Sequence, residues 1–165
     1  MSKLIGLVHS VLLLAALVAP AWGAESGAGP APWGTAQSRD IDYAPQKVLY
    51  DVTSGDGEFI SQVLDRVSYL SQLYDADPFA GSIVVIIHGD AIKHFAIENY
   101  RKNEKLMKRA QSLTVGNIIE FRLCRAAARL QGYGPEDIHG FVTLVPMADA
   151  EIVRLQQEEG YAYMK

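Results

Sequence analysis

Cysteine is nearly absent from this chain: Cys124 is the only one among 165 residues. A lone thiol excludes an intrachain disulfide framework, a C-x2-C metal knuckle and a dithiol redox cycle. Basic charge is also scarce, with 15 Lys and Arg against 19 Asp and Glu, for a formal net charge of −4. A nucleic-acid surface needs clustered cations to offset phosphates, so that class of partner is not expected. Missing too are the glycine spacings of dinucleotide and Walker loops, the G-x-S-x-G elbow and any H-x3-H pair. No metal and no cofactor is therefore expected. Long hydrophobic runs are lacking as well. The apolar run Val11–Val18 falls well short of the ~20 residues that a membrane-spanning helix needs.

That short run is instead placed like the core of an export signal. Lys3 precedes it, and the small residues Ala19, Ala21, Gly23 and Ala24 follow, so residues 1–24 read as a signal peptide cut after Gly23 or Ala24. Its removal deletes Lys3 and no acid, which moves the formal charge from −4 to −5. A periplasmic or secreted location without a stable membrane anchor follows as the expectation. Residues 25–46 are rich in Gly, Ala, Pro and Ser and read as a flexible tether. Residues 47–165 form one domain of ordinary size.

Within that domain, strand and helix patterns alternate. Val48–Val52, Ser82–Ile87, Ile118–Leu123, Phe141–Val145 and Tyr161–Met164 read as strands. Helical spacing of apolar residues predicts helices over Glu58–Tyr74, Arg101–Ser112, Arg125–Leu130 and Asp149–Glu159. Asp56 is positioned to cap the first helix, and Asp90 to cap a short helix ending at Ala96. Alternation of this kind implies right-handed crossovers and a mainly parallel five-stranded sheet with helices on both faces. Ligand and catalytic groups in such sheets gather at the carboxyl ends of the strands.

Three loops leave strand ends: Thr53–Gly57, His88–Asp90 and the junction at Cys124. Strand parity puts Cys124 on the face of Glu120 and Arg122, with Arg125 and Arg129 a few residues on. Nearby guanidinium groups and a helix start favour thiolate, which nominates Cys124 as a nucleophile exposed at the sheet rim. The competing reading is a buried cysteine acting as a small hydrophobe. His88 either ends its strand on a backbone hydrogen bond or touches substrate. The Thr53–Gly57 loop reads as a plain βα turn that walls a pocket at most. The Lys102–Arg109 cluster reads as the wet face of a helix.

Taken together, several segments resemble the DsrE/DsrF-like (YchN-like) sulfur-relay family, in its exported single-domain branch. They are Val85-Ile86-Ile87-His88-Gly89, Ile119-Glu120-Phe121-Arg122-Leu123-Cys124 leading into Arg125-Ala126-Ala127-Ala128, Phe141–Pro146 and Leu155–Tyr163. The resemblance implies a flavodoxin-like three-layer α/β sandwich that assembles as a trimer or hexamer. It also implies that Cys124 accepts sulfane sulfur as a persulfide and passes it on, between a sulfur donor and an acceptor that are small molecules or protein thiols. His88, Gly89, Arg122 and Arg125 would support that site. The alternative function is a non-catalytic oligomeric module of the same fold that binds a small ligand.

Overall fold

β1 (Lys47–Val52) is the first strand of the domain, with alternate residues packed on opposite sides of a sheet. The computed structural model describes residues 33–165; the proposed signal segment 1–24 and the tether up to residue 32 lie outside the described residues. The chain divides into two compact units, 1–40 and 41–165. In the first, the described residues 33–40 carry no helix or strand. Among the described residues, no helix is long and apolar enough to cross a membrane.

The second unit follows β1 with α1 (Gly57–Leu73), β2 (Ser82–Ile87), α2 (Tyr100–Leu113), β3 (Ile119–Cys124), α3 (Arg125–Leu130), β4 (Val142–Val145), α4 (Ala148–Glu158) and β5 (Ala162–Met164). All neighbouring strands pair in parallel, in the order β4-β3-β2-β1-β5. The domain is thus a flavodoxin-like three-layer α/β sandwich. Asp56 caps α1 as its position predicts: its Oδ1 accepts the Glu58 N–H at 2.9 Å. Asp90 caps nothing. Residues Gly89–Phe95 form a 3-10 segment whose N-cap position is His88, and extended Ala96 ends it. A connector this short favours the tighter helix.

Strand order dictates which face each helix covers. From β1 to β4 the chain steps in one direction, so right-handed crossovers put α1 to α3 on one face. Val52, Ile87, Phe121 and Leu123 pack there against Ile60, Val63, Met107 and Ala128. From β4 the chain returns across the whole sheet to β5, so α4 falls on the opposite face. There Leu49, Val84, Ile86 and Cys124 pack against Ala148, Leu155 and Tyr161. The connections after β3 and β4 therefore leave toward opposite faces. In an open parallel sheet, the carboxyl ends of strands where the connections reverse in this way are the usual place for a ligand.

Candidate functional site

Cys124 sits at that reversal. It is the last residue of β3, pairs with Val145 of β4 and is also the N-cap of α3. Its Sγ accepts the Ala127 N–H at 3.4 Å, while the Ala126 N–H donates to Pro146 O at 3.3 Å. Two amides at the start of α3 are thus engaged, one of them by the sulfur itself. The parity expected from the sequence is observed, since Cys124 shares the α4 face with Glu120 and Arg122.

The exposure differs from expectation. Cys124 is 5% exposed and packs among aliphatic side chains of the α4 face. The surrounding guanidinium groups differ as well. Arg122 is spent on two carboxylates, Glu120 at 2.6 Å and Glu151 at 2.5 Å. Burial opposes its charge, but the two carboxylates outweigh burial and hold its pKa above the ordinary value. Arg125 and Arg129 are exposed and make no ion pair among the described residues. Positional spacing in the sequence could show proximity of Arg122 but not Glu151, which arrives from α4.

His88 and Gly89 continue β2 past its last registered pair, Ile87 with Leu123. The register of β2 with β3 thus ends one residue before His88 and Cys124, and the His88 ring is held toward β1. The imidazole does lie on the α4 face, because its Nε2 meets Asp51 Oδ1 at 2.7 Å and Asp51 alternates with Leu49. The other oxygen, Asp51 Oδ2, accepts the Tyr163 O–H at 2.6 Å, a bond that raises the Tyr163 pKa. The Asp51 and His88 side chains are 15% and 22% exposed, so the pair is shielded yet reachable. With Nε2 held by Asp51, Nδ1 is the ring nitrogen left to exchange a proton.

Gly89 has a structural task. Its φ is +57°, and a Cβ there would approach Thr53 O at 3.1 Å. Its carbonyl accepts the Gln131 side-chain N–H at 2.8 Å, tying the loop to the end of α3. Asp51 and Tyr163 were not nominated from the sequence. Asp51 carried a signal, as an acid near the end of an apolar strand; Tyr163 carried none, because only tertiary pairing of β5 with β1 brings it there.

Cavities of about 510, 490 and 200 Å³ lie along α2 and are not lined by Cys124. Among the described residues, no group of three or more His, Cys, Asp or Glu side chains is arranged to hold a metal ion. The chemistry on offer at these strand ends is a hydrogen-bonded sulfur on β3 and an Asp-oriented imidazole after the adjacent β2.

No family model matches the chain, and no curated protein matches it. Among solved structures, it is similar to a protein of unknown function from Methanobacterium thermoautotrophicum. The two share 19% identity with a TM-score of 0.55, over 73% of this chain and 97% of the other. At that identity, the likeness is one of fold.

Proposed function

We propose that the chain is an exported sulfur carrier or sulfurtransferase, akin to the DsrE/DsrF-like group, that holds sulfane sulfur as a persulfide on Cys124. The observation that carries this reading is the placement of the sulfur. It lies where the sheet connections reverse, accepts an amide N–H and ends the strand next to the one whose end carries the Asp51-bound His88. A thiolate at that position is stabilised by the Ala127 N–H, and so is the terminal sulfur's anionic partner during transfer. In the step itself, the Cys124 thiolate attacks the outer sulfur of a donor persulfide, R–S–SH. The donor S–S bond breaks, R–S⁻ leaves, and Cys124 becomes Cys–S–SH. An acceptor thiolate then takes the outer sulfur and regenerates the Cys124 thiolate. In this scheme His88 Nδ1 takes the Cys124 thiol proton before the attack and returns it to the departing R–S⁻.

Burial limits who can deliver sulfur. A sulfur 5% exposed admits a thin, linear donor such as polysulfide more readily than a folded protein's surface. Oligomerisation fits the apolar side chains standing in solvent on α3, α4 and the loop between β4 and α4: Leu130, Val153 and Met147 are 89%, 58% and 49% exposed. Export to the periplasm accords with the signal-like residues 1–24.

Cys124's burial among Val84, Ile86, Ala148 and Leu155 favours a second reading, an oligomeric small-ligand-binding module in which the sulfur only fills space. Mass spectrometry after polysulfide exposure separates the two. The carrier reading expects an adduct of ~32 Da on Cys124, absent from Cys124→Ser, and slower to form in His88→Gln. A folded wild-type chain that gains no mass under these conditions would leave the binding module standing.

A further inference from the structure

We propose that the corner between the start of α1 and the first turns of α2 is a binding site for a small, multiply charged phosphate-class anion. This site is on the face opposite Cys124 and does not depend on the sulfur reading. Its main groove has a volume of about 510 Å³ and is lined by Gly57 and Ser61 of α1 and by Arg101, Lys102, Asn103 and Lys105 of α2. A smaller hollow of about 60 Å³ shares Lys102 and Asn103 with it and adds Lys93. The combined space is of the size that small-molecule sites occupy.

Charge is what distinguishes this corner. The chain as a whole is acidic, yet Lys93, Arg101, Lys102 and Lys105 converge here, and none has an ion-pair partner among the described residues. The carboxylate in the lining, Glu104, is taken by Lys108 at 2.7 Å, which holds it below the usual carboxylate range. Asp56 has one oxygen engaged by the Glu58 N–H. Asp56, Asp90 beside Lys93 at Gly55, and exposed Glu58 offset much of the excess and leave a small positive balance. A residual positive field on a concave surface concentrates anions. Four cations at one corner suit a compact anion carrying several charges; they do not form the stripe that a nucleic acid needs.

The walls are built as well as charged. His94, 8% exposed, links them: its Nε2 meets Gly55 O at 2.9 Å in the loop before α1, and its Nδ1 meets Asn103 Oδ1 at 3.2 Å. Asn103 is where α2 departs from helical geometry, with φ −110° and ψ 16°. A kink has an identifiable cause, and here a buried histidine fastens it to the facing loop. Groove shape is therefore set before any ligand arrives, which lowers the ordering cost of binding. Ser61 adds a hydroxyl donor to the lining.

The test is an amide NMR titration of the full chain with sodium pyrophosphate at low ionic strength, with sodium thiosulfate as a parallel arm. Saturable shifts confined to Gly57, Ser61, Lys93, His94 and Arg101–Lys105 are expected, with pyrophosphate binding the tighter of the two anions. The double variant Lys102→Gln, Lys105→Gln changes only exposed side chains and should weaken binding by about tenfold or more. His94→Gln, where folded, should weaken it too. Scattered shifts, or an affinity unchanged in the double lysine variant, overturn the site. Tighter binding of thiosulfate overturns its phosphate assignment.

Discussion

The two faces of the sheet are built on different principles. One carries α1, α2 and α3 over a continuous apolar layer in which Phe95, Phe121 and Phe141 meet with ring centroids 5.9 to 6.4 Å apart. Among the described residues, the other carries α4 alone. Around that single helix, the strands present charged and polar side chains that satisfy one another. Glu120, Arg122, Glu151, Arg154 and Glu159 form one connected chain, and Asp51, His88 and Tyr163 another. The contrast shows how a parallel sheet can divide its labour. A face covered by three helices holds the fold, and a face covered by one leaves strand ends free to carry chemistry.

The largest effect expected from breaking this contrast is in the aromatic layer. Phe121→Ala should cost ~3–5 kcal/mol in urea unfolding, while Leu155→Ala, equally buried under α4, should cost less, ~2–4 kcal/mol. Equal losses would show that the thin face contributes as much as the thick one.

A smaller effect is expected in the charged chain. Glu151→Gln should cost ~1–3 kcal/mol at neutral pH, because the half-buried Arg122 loses a charged acceptor. Hydrogen bonds from Arg154 first, and from Arg122, hold the Glu151 carboxyl below its ordinary 4.5, against the opposing effect of burial. Its folded pKa is depressed, so its stabilisation is present above the unfolded value and lost as pH falls through the folded one. Stability curves against pH should therefore be flatter on the acid side in Glu151→Gln. An unaltered acid limb would remove the network from the list of what holds α4 down.

The smallest effect belongs to His139, stacked on Phe141 at 5.8 Å on the aromatic side. Burial pushes its pKa below 6.5, so the neutral ring is favoured. The stabilisation is full above about pH 6.5 and fades as pH drops toward the lower folded value. His139→Phe should flatten the stability slope just below that pH. A slope that persists in the variant would place the titrating group elsewhere.

Much of this architecture was legible in local pattern. The unbroken Ile83–Ile87 run announced a strand covered on both sides, and the spacing of Ile60, Val63, Leu64 and Val67 announced α1, since burial follows the period of each element. Alternation in β3 correctly put Cys124 on the face of Arg122. Exposure was another matter. Nothing within Ile119–Leu130 says that Ala148 and Leu155 will close over the sulfur, or that Glu151 will claim the arginine. The lysines of α2, read as solvated, turned out to edge a groove because Gly57 and Ser61 face them from α1. Side chains brought together by crossovers leave no spacing signal.

Sequence alone determined the kinds of element, their order and the single sulfur atom, because each depends on residues close along the chain. Only the tertiary structure decided what surrounds that sulfur and which cations stay unpaired. The long return from β4 to β5 lays α4 across the sheet and carries Tyr163 to Asp51. Those contacts depend on distances through space between residues far apart in the chain, and hydrophobic periodicity does not encode them.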